Sequence, residues 1–212
     1  MNKNLIVGLT GGFATGKTTV TKIFQSLGAV IIDADKIARE VVAPNSPVWQ
    51  NLKEYFGAKI LNKDLTLNRT RLADLAFNNE TYLRKLNEIT HPPIIQKIKE
   101  EIERIQNTTP NKIIIINAPL LIEANMVSLV NKIIVVTASE ATQIKRGMKR
   151  DNLEMDGAKK RIFAQLPLSE KVRLADFVID TDCPKKRVVE KVKMVWEELN
   201  ALSGKMGTHT II

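Results

Sequence analysis

The run Gly11-Gly-Phe-Ala-Thr-Gly16-Lys17-Thr18 has the spacing G-x-x-x-x-G-K-[ST], the residue set that cradles phosphate. Glycines let the backbone curl until its N–H groups converge on one anion, and a helix that starts where the loop ends adds a favourable dipole. In such a loop Lys17 reaches the β- and γ-phosphates of a nucleoside triphosphate, and the Thr18 hydroxyl is placed to ligate Mg²⁺. Gly11, Gly12, Ala14, Thr15, Gly16, Lys17, Thr18 and Thr19 form the expected nucleotide-binding set.

A GTPase would show Asn-Lys-x-Asp after a strand. The pairs Asn111-Lys112 and Asn131-Lys132 are each followed by Ile-Ile, with no carboxylate to hold a guanine edge, so ATP is the expected nucleotide. The apolar run Ile113 to Ile116 ends in Asn117, where a processive ATPase carries the Asp or Glu of its Walker B strand. A small-molecule kinase remains, and a kinase acting on an alcohol needs a carboxylate to take or orient the hydroxyl proton. Asp33-Ala-Asp35 offers two, at the carboxyl end of a short apolar run where open α/β sheets bind their ligands. Asp35 fits equally well as the N-cap of a helix over Lys36 to Val42. Arg146 and Arg150, four residues apart on one helix face, and Arg161 beyond them are suited to neutralising phosphoryl oxygens from a closing lid; as a plain charge run they would be a solvated face.

Positioning these groups takes a regular scaffold. Leu5 to Leu9, the glycine loop, the helical stripe Val20, Ile23, Phe24, Leu27, a stop at Gly28 and the run Val30 to Asp33 read as strand, loop, helix, strand. Further runs at Ile113 to Ile116, Ile133 to Val136 and Phe177 to Ile179, separated by helix-length segments, bring the expected strands to five in a parallel sheet covered on both faces. Between the second and third strands, Ser46-Pro47 predicts a helix start and Gly57 its stop. Asn68 caps a second helix with Leu72, Leu75 and Ala76, and His91-Pro92-Pro93 breaks the chain before a charged helix to about Ile105. The basic stretch from Arg146 to Lys171 is the candidate lid, and the final helix docks Val188, Val192, Val195, Trp196 and Leu199 on the sheet.

Composition bounds the rest. The 212 residues, 44% hydrophobic and 26% charged, suit one α/β domain with an inserted lobe and exclude disorder. No apolar stretch approaches the ~20 residues of a membrane span. The single cysteine, Cys183, makes no internal disulfide and reads as an ordinary thiol, in keeping with a cytoplasmic location. The net charge of +9 favours anionic partners, but aromatics are 5% and the basic residues are dispersed, which speaks against nucleic acid. A basic module that uses ATP to control nucleic-acid binding is the reading from another class, and its mark would be salt-sensitive affinity.

Taken together the motifs resemble the dephospho-CoA kinase family. Leu9-Thr-Gly-Gly-Phe-Ala-Thr-Gly-Lys-Thr-Thr19 is similar to its opening, Asp33-Ala-Asp-Lys-Ile-Ala-Arg-Glu-Val41 to its acidic motif, and Leu86-Asn-Glu-Ile-Thr-His-Pro92 to its acceptor-lobe motif. Pro119-Leu-Leu-Ile-Glu123, Arg150-Asp-Asn152 with Arg161 and Gln165, and Ala175-Asp-Phe-Val-Ile-Asp180 follow in the family's order. The resemblance implies a P-loop kinase fold: a core over 1–44, 108–142 and 172–203, a helical dephospho-CoA lobe over 45–107, a helical lid over 143–171 and a flexible tail over 204–212. It implies transfer of the ATP γ-phosphoryl group to the ribose 3′-hydroxyl of dephospho-CoA, with Mg²⁺. Asp35 is then the general base, Lys17 and Arg150 the catalytic cations, and Arg146 and Arg150 ATP contacts. Asp33, Arg39, His91 and Arg161 become acceptor-side residues, with His91 shaping the lobe, and Glu123 a weaker metal organiser. Two departures stand out: Phe13, where an aliphatic residue is commoner and only packing is expected to change, and Asn117, where many relatives carry a carboxylate. The expected partners are the two small molecules, with no nucleic acid or membrane, and the expected state is a monomer or weak homo-oligomer. Another phosphate-loop kinase, acting on a nucleoside, nucleotide or sugar, is the nearest alternative, and competition between acceptors separates the two.

Overall fold

Five short runs rich in Ile and Val build the sheet, because β-branched side chains suit strands buried on both faces. In a computed structural model, which describes residues 4–77 and 79–206, the chain runs β1 (Ile6–Gly11), α1 (Lys17–Ser26), β2 (Val30–Asp33) and α2 (Ala34–Val41). It continues through α3 (Pro47–Phe56), α4 (Arg69–Phe77), α5 (Glu80–Thr108), β3 (Ile114–Asn117) and β4 (Lys132–Thr137). Then come α6 (Glu140–Asp151), α7 (Met155–Phe163), α8 (Leu168–Arg173), β5 (Phe177–Asp180) and α9 (Lys185–Met206). The strand order is β2-β3-β1-β4-β5, and the registered pairs are parallel, as the apolar runs predict. Each observed strand lies within two residues of its apolar run.

The chain divides into two compact units, Met1–Ile32 with Ile102–Ile212, and Asp33–Glu101. In the first, β1 is the central strand, paired to β3 with Leu9 opposite Asn117 and to β4 with Gly11 opposite Val136. Leu9, Ile115, Ile134 and Val136 are buried with Phe24 of α1 and with Val188, Val192 and Leu199 of α9, the stripe expected of the last helix. Trp196 stacks at a tilt on Phe24, 6.2 Å between centroids, so it is a core residue. Asp176 ties the sheet's edge: it accepts from the Lys132 ammonium at 2.6 Å and from the Ile133 N–H at 2.8 Å.

The second unit is helical. Ser46 Oγ accepts from the Trp49 N–H, Pro47 opens α3, and Gly57, at φ 79°, ends it. Asn68 Oδ1 accepts from the Arg71 N–H at the start of α4. The core joins Trp49, Leu52, Phe56, Ile60 and Leu72, with Tyr55, Phe56 and Tyr82 packed edge to face.

Two expectations need correction. Pro92 and Pro93 do not break the chain but lie inside α5. A proline ring fits the helical φ but removes its own N–H bond and crowds the carbonyl four residues before it, a cost that apolar contacts on either side, Leu86 and Ile89 before and Ile98 after, offset. Three helices occupy the basic stretch after β4, with Ser139 capping α6 and Asn152, at φ 51°, closing it. Of the tail expected over 204–212, residues 204–206 end α9, and 207–212 lie outside the described residues.

The lid segment returns to the core through a buried ion pair. Lys171 in α8 is 0% exposed; its ammonium donates to the Pro119 carbonyl at 2.8 Å and pairs with Glu123 Oε1 at 2.7 Å, which also accepts from the Leu166 N–H. Glu123 is therefore engaged in anchoring α8. Removing the Glu123 carboxylate leaves the buried Lys171 ammonium with one oxygen partner fewer, a loss of about 1–3 kcal/mol. Glu123→Ala is expected to lower the unfolding free energy from urea titration by that amount while Glu54→Ala, on exposed surface, leaves it within about 0.5 kcal/mol; an unchanged unfolding free energy in Glu123→Ala contradicts the anchoring role.

Candidate active site

The phosphate loop is built between β1 and α1. Gly16, at φ 89°, occupies the left-handed conformation that turns the chain into α1, and a Cβ there would press on Thr181 Oγ1 and Arg146 Nη1. Gly11 lies so close to the Val136 carbonyl that a Cβ would sit 2.5 Å from it. Ala14 also takes a positive φ, 54°. The α1 N-terminus has no side-chain cap and no acidic residue in its first turn, so its N–H groups are directed at the loop's own concavity, the arrangement that receives an anion.

Five hydrogen bonds support this loop. Thr15, 1% exposed, donates its hydroxyl to the Gly12 carbonyl at 3.0 Å, and its own carbonyl accepts from Thr181 Oγ1 at 2.7 Å. Arg146 donates through Nη1 to Thr181 Oγ1 at 2.8 Å and through Nη2 to the Thr181 carbonyl at 2.9 Å. Lys17 Nζ donates to Asn117 Oδ1 at 2.6 Å, across from the loop at the end of β3. Asn117 thus orients the lysine without the opposing charge an aspartate would bring. Thr18 and Thr19 are exposed in the first turn of α1.

From this loop a cavity of about 550 Å³ opens, lined by Gly16 and Thr19, by Arg146, by Thr181 and Cys183 of the segment between β5 and α9, and by Lys185 at the start of α9. Its volume and its start at the phosphate loop suit the nucleoside part of a triphosphate. Thr181 was not singled out in the sequence; the signal was its place directly after a strand's carboxyl end.

The other two arginines sit elsewhere on the lid. Arg150 pairs with its neighbour Asp151 through two hydrogen bonds, 2.7 and 2.9 Å, and Arg161 of α7 reaches the same carboxylate at 2.6 Å. These bonds hold the Asp151 carboxyl below its ordinary pKa and raise that of Arg150. Both guanidinium groups lie over the Phe13 ring, at 5.0 and 5.6 Å from its centroid. Phe13 therefore does more than alter packing.

In the second unit the cap question is resolved by Asp33. Its Oδ1 accepts from the Asp35 and Lys36 N–H groups at 3.0 and 3.1 Å, so Asp33 is the N-cap of α2 and Asp35 lies, exposed, in the first turn. Arg39 is in the last turn of the same helix. Arg69, which sequence reasoning passed over, is held below its usual pKa by burial and then by Arg39, with Asp35 acting in the opposite sense, so an acid and two cations share one field. His91 is half-buried in α5 and burial pushes its pKa down, which keeps it neutral at pH 7.

The described residues hold no group of three His, Cys, Asp or Glu side chains spaced for a metal. One hydroxyl, Thr18, fits Mg²⁺ nonetheless, because that ion keeps several waters and takes its other ligands from substrate phosphates. Among the described residues no helix is long and apolar enough to cross a membrane.

The family model for dephospho-CoA kinase matches residues 5–187. The chain belongs to the dephospho-CoA kinase family. It is 46% identical to dephospho-CoA kinase of Carboxydothermus hydrogenoformans, over 82% of this chain and 84% of that one, and 41% identical to that of Moorella thermoacetica, over 92% of each. Its structure superposes on dephospho-CoA kinase from Campylobacter jejuni with a TM-score of 0.68 at 30% identity, covering 92% of this chain and 97% of the other. As a dephospho-CoA kinase family member the chain is a P-loop phosphotransferase that uses ATP.

The depressed pKa of His91 sets a direction for stability. Below about pH 6.5 the unfolded chain binds a proton at this position that the folded chain resists, so stability is lost as pH falls from 6.5 through the lower folded value. His91→Gln is expected to flatten that part of the melting-temperature profile and leave it unchanged above pH 7.5; an equally steep acid limb in the variant contradicts the burial effect.

Proposed function

We propose that the protein phosphorylates the ribose 3′-hydroxyl of dephospho-CoA with ATP, giving CoA and ADP, the last step of coenzyme A synthesis. The observation that carries this reading is the family membership joined to an uncapped phosphate loop whose lysine is held by Asn117. The triphosphate lies along the loop N–H groups, with Lys17 on the β- and γ-phosphates and the nucleoside in the cavity beside Arg146 and Thr181. Thr18 holds Mg²⁺, which neutralises charge on the phosphate oxygens when bound.

On the acceptor side Asp35 takes the proton of the 3′-hydroxyl as its oxygen bonds to the γ-phosphorus. Support comes from Asp33, which caps α2 and so relieves Asp35 of that duty. Asp33 fixes the turn that presents Asp35, and Arg39 and Arg69 supply positive charge for the acceptor's own phosphates. Arg150 and Arg161 lower the cost of charge spreading over the transferring group, and His91, neutral and half-buried, shapes the lobe.

The reading is tested by ADP release from Mg²⁺-ATP with and without dephospho-CoA, with the product weighed for one added phosphate. Strong dependence on dephospho-CoA is expected, and Asp35→Asn is expected to lower kcat by a factor on the order of 10² or more with ATP affinity kept. Turnover indifferent to dephospho-CoA contradicts the acceptor, and an unimpaired Asp35→Asn contradicts the base.

A further inference from the structure

We propose that Phe13 is a positioning residue for the lid arginines: its ring, set in the phosphate loop, holds the Arg150 guanidinium over that loop, with Arg161 as a second ligand of the same ring. The inference rests on the reading of Arg150 as a phosphate cation and adds the element that places it.

Four observations meet at this ring. Phe13 follows Gly12 directly, so its backbone position is fixed by the loop that receives phosphate. Arg150, from the last turn of α6, stands 5.0 Å from the ring centroid, and Arg161, from α7, stands 5.6 Å away; both are within the range over which the ring quadrupole attracts a cation. Gly147, one turn before Arg150, leaves room for the ring edge: a Cβ at Gly147 would overlap the Phe13 ring. Asp151 bridges the two guanidinium groups, which sets their spacing and leaves the aromatic ring as their contact with the loop.

The physical consequence is a choice of orientation. Arginine has a long flexible stem, and its side chains here are more than half exposed; Asp151 ties the two guanidinium groups to each other within the lid, and the ring adds the contact that ties the pair to the loop. A planar guanidinium against an aromatic ring loses little of its hydration and keeps its N–H edges free to meet oxygen acceptors in its own plane. An aliphatic side chain at position 13 would supply bulk against Gly147 but no quadrupole. The ring therefore shortens the search that each arginine makes when a triphosphate enters, and its effect belongs to the transition state as much as to binding.

The test is a cycle of Phe13→Leu, Arg150→Met and the double variant, with Phe13→Trp as the conservative replacement. Steady-state rates are read at varied ATP with dephospho-CoA saturating, and melting temperatures are recorded alongside. Phe13→Leu is expected to lower kcat/KM for ATP roughly three- to tenfold, partly through kcat, the size of a cation–π contact at a partly exposed site. Phe13→Trp is expected to retain most of the wild-type value. In the Arg150→Met background the Leu substitution is expected to add less than about a twofold further loss, because its route of action is already removed. The proposal is overturned by a Phe13→Leu enzyme equal to wild type. It is equally overturned by the same fold-loss in both backgrounds, or by a Phe13→Trp enzyme as impaired as Phe13→Leu, each of which reduces Phe13 to packing. If Arg150→Met alone is fully active, the catalytic reading of Arg150 fails as well, a result separable from the behaviour of Phe13→Leu.

Discussion

A phosphate loop must expose backbone N–H groups to an anion, and so it cannot hold itself together with them. This chain meets the constraint from outside the loop, chiefly with one buried hydroxyl. Thr181, 3% exposed, donates to the Thr15 carbonyl and accepts from Arg146, tying the loop to the end of β5 and to α6. The sheet order follows from the same need. With β1 between β3 and β4, the strand that feeds the loop is flanked by one neighbour that ends in Asn117 beside Lys17 and another whose Val136 carbonyl crowds Gly11. A side chain on Gly11 or Gly16 would push the loop away from these supports.

Charge is arranged on the same principle of support from neighbours. Lys17 is oriented by a neutral amide, Arg146 by a hydroxyl and a carbonyl, and Arg150 and Arg161 by one shared carboxylate and one aromatic ring. The neutral partners fix direction without offsetting positive potential, and the one carboxylate, Asp151, is shared by two arginines and so leaves a net positive charge, which is what a site for a polyanion needs before its ligand arrives. The buried Lys171–Glu123 pair is the opposite case, a cation spent on anchoring: full burial and three oxygen-directed contacts at that corner leave it no part in phosphate chemistry.

Much of this was legible in the sequence, for physical reasons. The strands were visible as Ile and Val runs, α3 by its Ser46-Pro47 start and Gly57 stop, and the loop by glycines whose spacing has one backbone solution. Local rules failed where tertiary contacts decide. Pro92 and Pro93 look like a break, yet packing on both sides carries α5 through them. On paper Asp35 reads as the cap of a helix that starts at Lys36, and the backbone geometry at the end of β2 gives that place to Asp33 instead. Thr181 and Arg69 gave no pattern at all, since a buried hydroxyl between two chain segments and an arginine pressed against another cation are defined by residues far away in sequence. Phe13 was visible as an unusual loop residue, but its meaning depended on two arginines from helices over a hundred residues on.

The central claim is that the loop held by Thr181 and the cavity beside it receive ATP. Cys183, the chain's single cysteine, lines that cavity and is a built-in reporter. Its alkylation by a maleimide, followed by intact mass, is expected to slow at least tenfold when Mg²⁺-ATP saturates the protein, and to respond to ATP over the same concentrations that support turnover. An alkylation rate unchanged at saturating ATP, in protein that still turns over, would contradict the placement of the nucleotide.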